Sequence, residues 1–291
     1  MGVYERDICT HRTYINPSLA LGLALGLAGL IAPTLAHFCC FEFEFQTFPV
    51  SVLLVRPTAV GFRSMELVKV SDGISGWATG AKESTRGVVV IQEWWGVTTI
   101  VKDHASYIAE RCHARCFIPD IYHGKSTVDK EEASHLMNNL DWQRAVQEIN
   151  ECVEFLRRSG CKHVGVVGFC MGGALACAVG QHGNVDCAVA FYGTPPAGLA
   201  QPENVHVPMQ LHCGPLDDHA GFSDVDTVEA WAGKCASATA YVDYEGCGHG
   251  FLNTGELAAE LRAKMGFPTP SKDMQTRAWD RLAAFFEKHL G

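Results

Sequence analysis

The stretch Val164-Gly165-Val166-Val167-Gly168-Phe169-Cys170-Met171-Gly172-Gly173 constrains the fold more than any other part of the chain. A short β-branched run ends in Gly-x-Cys-x-Gly, and a helix rich in Ala and Gly begins at once. A nucleophile on a sharp strand-to-helix turn needs neighbours without side chains, because strand and helix otherwise collide. The helix N-terminus would favour a thiolate, and the Met171 N–H would be free to donate to an oxyanion. The plain alternative is a structural cysteine beside a tight turn. A phosphate-binding loop is excluded, because no Lys-Ser/Thr follows the glycines.

The surrounding rhythm fits such a turn. Val88–Ile91, Ala114–Tyr122, Val164–Gly168, Val185–Phe191, Pro208–Cys213 and Thr239–Tyr244 read as strands, the tail of the second running into a Pro119-Asp120 loop. Thr98–Cys112, Asp129–Arg158 with a break near Asp141, Met171–Val179, Asp224–Cys235 and Met274–Leu290 read as helices. All-apolar strands alternating with helices predict a doubly wound, mostly parallel sheet with helices on both faces. Residues 65–291 are expected to form this single α/β domain.

Residues 1–64 stand apart. They carry four Lys/Arg and four Asp/Glu, so the whole net charge of −9 lies in residues 65–291. Leu19–Ala32 is an uninterrupted apolar run, of the length of a signal-peptide core and short for a membrane span. Three readings stay open: a targeting segment, a membrane anchor, or an upstream extension before a start at Met65. None makes the segment part of the α/β domain, which is expected to have no stable membrane span and to fold and work without it.

An acidic chain with no basic stripe argues against nucleic acid as a partner. The 13 cysteines are irregularly spaced and include no Cys-x-x-Cys pair. That usage suits a reducing compartment, so a cytoplasmic domain is expected. No metal or organic cofactor is expected, and the chain is expected to be a monomer.

A cysteine nucleophile needs a base and an orienting acid, expected in the order nucleophile, acid, His. Asp217 follows the strand Met209–Cys213 in Gly214-Pro215-Leu216-Asp217, and its spacing from Gly214 favours it over Asp218. His249 follows the strand Thr239–Tyr244 in Gly248-His249-Gly250-Phe251. No other histidine reads as having such a setting; His104, His135 and His163 read as ordinary helix or surface residues. At the end of the Val88–Ile91 strand, Gln92-Glu93-Trp94-Trp95-Gly96 places a carboxylate facing the nucleophile and offers the Trp94 N–H as a second oxyanion donor. Taken alone, Glu93 would pass for a solvated strand-end acid and the tryptophans for core filling.

Together with Pro119-Asp120-Ile121-Tyr122 and Phe191-Tyr192-Gly193, these motifs make residues 65–291 resemble the dienelactone hydrolase (carboxymethylenebutenolidase) family of the α/β-hydrolase fold. The resemblance implies Cys170 as nucleophile, His249 as base and Asp217 as its partner. It also implies that Glu93 helps to deprotonate the thiol, and that a small ester or lactone is cleaved through an acyl-thioester. The implied substrate-binding positions are Lys130, Tyr192 and Asn253. Lys130 and Asn253 stand where members that cleave dienelactone carry two arginines, so weak discrimination for an anionic lactone is expected. Two readings of another class remain: a non-catalytic binding protein on the same fold, and a redox-reactive thiol. No resolving cysteine lies close to Cys170 in the chain.

Overall fold

A computed structural model of the protein describes residues 65–291. The readings made for residues 1–64 lie outside the described residues.

Eight strands form one sheet: β1 (Glu66–Lys69), β2 (Ser75–Thr79), β3 (Arg86–Ile91), β4 (Arg115–Pro119), β5 (His163–Phe169), β6 (Cys187–Phe191), β7 (Met209–His212) and β8 (Ala238–Tyr241). Their spatial order is β1-β2-β4-β3-β5-β6-β7-β8. The strands β3 to β8 pair in parallel, whereas β1 and β2 are antiparallel additions at one edge. Among the described residues, seven α-helices accompany them: α1 (Thr99–Arg111), α2 (Lys130–Asn138), α3 (Trp142–Arg158), α4 (Met171–His182), α5 (Val225–Lys234), α6 (Glu256–Met265) and α7 (Lys272–Leu290).

Alternation along the strands sorts side chains between two cores. Val89, Ile91, Val164 and Val166 face α3, α4 and α5, whereas Val88, Val90, Val167 and Phe169 face α1 and α7. Both faces are covered, which explains why β3 and β5 are apolar without a break. The break expected near Asp141 is a helix start, since the Asp141 carboxylate caps the Arg144 N–H at 3.0 Å.

Two elements escaped the sequence reading. The β1–β2 hairpin carries little apolar periodicity because β1 is a mostly exposed edge strand. Helix α6 lies in a stretch to which no element was assigned, although Glu256–Met265 is rich in helix formers and is closed by Gly266 at φ 72°.

The chain leaves β3 for β4 on one side and returns to β5 on the other. The carboxyl ends of β3 and β5 therefore flank the point where winding reverses, where an open α/β sheet leaves a crevice for ligands. Among the described residues, no helix is long and apolar enough to cross a membrane.

Candidate active site

Cys170 sits between β5 and α4 at φ 55°, ψ −119°, a strained conformation for a residue with a side chain. Its neighbours make the turn possible. A Cβ on Gly168 would overlap the Gly172 carbonyl, and one on Gly172 would come within 2.6 Å of the Ile91 and Gln92 carbonyls. Both positions have to be glycine for α4 to start this close to β3 and β5. Ten cysteines are described, and Cys170 is the one that is not fully buried. Burial pushes other thiols up, Cys112 to about 11 and Cys213 to about 12.

Asp217 and His249 come from the loops after β7 and β8. The His249 Nδ1 lies 2.8 Å from Asp217 Oδ2, and Ser223 Oγ lies 3.2 Å from the same nitrogen. Burial works against the Asp217 carboxylate, yet bonds from His219, His249 and Ser223 hold it down at about 2. Asp218 is exposed and points elsewhere. For His249, burial disfavours the imidazolium, but a thiolate at Cys170 and the Asp217 carboxylate together raise it to about 10.

Glu93 is buried at the end of β3, and burial raises its carboxyl above the usual range. The Asn253 Nδ2 donates to both of its oxygens, at 2.9 and 3.1 Å. Asn253 in turn accepts from the Tyr192 hydroxyl at 3.3 Å through Oδ1 and from Arg262 at 2.6 Å through its carbonyl. Asn253 is thus engaged as a clamp on Glu93. Tyr192 is fully buried behind it rather than presented to a ligand.

Cys170, His249, Glu93 and Asn253 line one cavity of about 290 Å³, at the small end for small-molecule sites. Its walls are largely apolar, with Trp94, Trp142, Phe222 and Phe267 prominent. The Met171 N–H opens α4, where the first turn leaves donors unpaired. Neither it nor the Trp94 N–H makes a backbone hydrogen bond outside the regular elements among the described residues. Tyr122 steadies Met171 by donating to its sulfur at 3.2 Å.

Two sequence readings change here. Lys130 is exposed at the start of α2 and does not line the cavity, because its side chain leaves the first turn toward solvent. The cation in the wall is Arg262 of α6, which has no carboxylate partner among the described residues. It was missed with its helix. The reading that no other histidine shares the setting of His249 is also corrected. His219, two residues beyond Asp217, lines the same cavity, and its Nδ1 lies 2.8 Å from Asp217 Oδ1. His104, by contrast, is a buried helix residue packed on Phe169.

Comparison with known proteins gives concordant results. The model of the dienelactone hydrolase family matches residues 74–290. The chain is 29% identical over 241 residues to the protein usf of Aquifex pyrophilus, covering 78% of this chain and 98% of that protein. It is also 29% identical over 217 residues to a carboxymethylenebutenolidase of Pseudomonas putida, covering 66% and 89% respectively. Among solved structures, a dienelactone hydrolase-like promiscuous phosphotriesterase from metagenomic libraries superposes with a TM-score of 0.59 at 17% identity, covering 78% of this chain and 99% of that one. An esterase of Pyrococcus furiosus does so with 0.53 at 14%, covering 79% and 94%. At these identities the structural likeness speaks for the α/β-hydrolase fold alone.

Proposed function

The chain belongs to the dienelactone hydrolase family, and on that premise we propose that it hydrolyses a small ester or lactone with Cys170 as nucleophile, His249 as acid and base, and Asp217 as its partner. The observation that carries this reading is the strained Cys170 turn opening into the cavity that also holds His249.

In the proposed cycle, Glu93 takes the thiol proton when substrate arrives, and the thiolate attacks the carbonyl carbon. The Met171 and Trp94 N–H groups hold the resulting oxyanion. The C–O bond then breaks, and the departing oxygen takes a proton from the His249 imidazolium. Acylated sulfur carries no charge, so one influence that holds the proton on His249 disappears. The neutral imidazole accepts a proton from water as it attacks the thioester. Breaking the C–S bond releases the acid and a thiolate, which takes its proton back from Glu93 and closes the cycle.

The apolar aromatic wall suits a compact apolar body, and Arg262 offers a bidentate partner to a substrate carboxylate. The weak discrimination expected from Lys130 and Asn253 is replaced by a preference resting on Arg262. Arg262→Met should raise KM for a carboxylate-bearing ester roughly ten- to hundredfold, the equivalent of losing one charge-assisted bond of about 1.5–3 kcal/mol. A neutral ester of the same size serves as the control. Equal losses for both esters would assign Arg262 a structural role through Asn253.

Asn253→Ala should remove a bond that favours the Glu93 carboxylate, so Glu93 would hold its proton to higher pH. The acid limb of kcat/KM is expected to move up by about 1–2 pH units, the equivalent of one bond to a charged group. An unmoved limb would separate Glu93 from thiol activation. The reading as a whole is tested by assaying the purified protein against neutral and carboxylate-bearing esters and lactones, before and after iodoacetamide. Hydrolysis that the alkylation abolishes is expected; hydrolysis that persists would contradict a cysteine nucleophile.

A further inference from the structure

We propose that His219 is a second imidazole partner of Asp217, a positioning residue that shares the carboxylate with His249 and fixes the orientation in which it meets that ring. This rests on the triad reading above and deepens it.

Asp217 has a side chain with no exposure, and its two oxygens are divided between two rings: Oδ2 to His249 Nδ1 at 2.8 Å and Oδ1 to His219 Nδ1 at 2.8 Å. The His219 backbone N–H also reaches Oδ1, at 3.3 Å. A carboxylate tied to His249 alone could rotate about its last bond; one gripped on both oxygens has a single orientation to offer. The two rings lie 4.5 Å apart between centroids, and Phe267 closes over both, at 5.7 Å from His219 and 5.5 Å from His249.

The rings differ in access. The His249 side chain is 8% exposed and that of His219 is 37%. With Nδ1–H given to Asp217 Oδ1, His219 fixes the plane in which the other oxygen meets His249 Nδ1. Asp218 Oδ1 lies 3.8 Å from His219 Nδ1 and is 93% exposed on its side chain. Asp224 is committed to Thr227 and Gly221. The segment after α6 contributes only the neutral Phe267, and across the cavity stand Glu93, Cys170 and Arg262.

The test compares wild type with His219→Gln, which keeps a donor for Asp217, and His219→Ala, which removes it. With a neutral ester, His219→Ala should lose about tenfold in kcat at unchanged KM, and His219→Gln should stay within about threefold. In histidine-labelled protein, the Nδ1–H signal of His249, which reports its bond to Asp217, should be sharp in wild type and in His219→Gln and broadened in His219→Ala. That signal needs no turnover, so its presence alongside an undisturbed Cys170→Ala activity would sink the triad reading while leaving the shared carboxylate intact. Should His219→Ala fail to fold, His219→Gln decides alone, and a broadened His249 signal there would overturn the proposal. An unchanged kcat together with an unchanged His249 signal in folded His219→Ala would overturn it too, as would a loss confined to KM.

Discussion

Cys170→Ala should lower kcat/KM for ester hydrolysis by about 10⁴-fold or more, the scale on which a covalent nucleophile acts together with its base. The remaining machinery explains why some catalysis would survive. The Met171 and Trp94 N–H groups and the cavity would still bind and polarise a carbonyl, as oxyanion donors do without a nucleophile. The variant should fold, because Cys170 is only partly buried and alanine removes a single sulfur from the turn. Its strained φ of 55° would remain, at a cost of about 1–3 kcal/mol that the native chain already bears. None of the nine fully buried described cysteines should behave this way when replaced by alanine. Full activity of Cys170→Ala would favour the binding-protein reading of the fold.

A second large effect is expected from acid rather than from mutation. His212 and His104 are buried on the sheet and held neutral, at about 3 and about 4, chiefly because burial disfavours their charged forms. Their surroundings fit neutral rings. His212 Nδ1 lies 2.6 Å from the Tyr244 hydroxyl and Nε2 lies 3.1 Å from Gln210 Oε1, one acceptor and one donor role. His104 gives Nε2–H to the Leu252 carbonyl at 3.3 Å, and its Nδ1 has no partner. Both groups titrate near 6.5 once unfolded. Their folded values are depressed, so their stabilising effect is whole above about pH 6.5. It is lost as pH falls toward 4 and then 3, because the unfolded chain binds the extra protons. Two such protons remove about 2.7 kcal/mol per pH unit. Between pH 6 and 4 the two rings cost about 5 kcal/mol, the lower end of the total stability of an ordinary domain, about 5–15 kcal/mol. Glu93, raised by burial, offsets this by up to one proton, and Asp217 adds a further loss only between about pH 4 and 2. Urea midpoints measured from pH 7 to 4 should therefore fall steeply from about pH 6. His104→Phe, placed against Phe169 and Trp279, should flatten the slope by one proton. Midpoints that hold level down to pH 5 would mean that one or both rings are charged in the folded protein.

Much of this architecture was legible because it is written in local rules. β3 and β5 are unbroken apolar runs, and Gly168 and Gly172 mark the only turn that lets α4 start against both. Asp217 and His249 were found because each lies in a glycine-containing loop just past a strand, where the carboxyl edge of the sheet collects them. What stayed hidden depends on contacts distant in the chain. Asn253 was read as a worn-down arginine site, whereas its amide spans 160 positions to hold Glu93. Lys130 was read as the surviving cation, while the cation in the wall came from α6, nine residues past Asn253. His219 was grouped with the histidines that lack the setting of His249. Only the turn of the chain after Asp217 folds its ring back onto the carboxylate. The α6 helix was within reach: its alanine, leucine and glutamate content between Gly255 and Gly266 is a helix signal that went unassigned.

The central claim is the bond between substrate and Cys170, and trapping that bond tests it most directly. The protein is mixed with a slowly hydrolysed neutral ester, quenched in acid within one turnover, digested and weighed by mass spectrometry. The experiment is run in parallel on His249→Gln, in which water activation should fail. The account predicts one acyl group on the peptide that contains Cys170, transient in wild type and persistent in His249→Gln. An acyl group on another residue, or steady hydrolysis with Cys170 never modified in either protein, would contradict it.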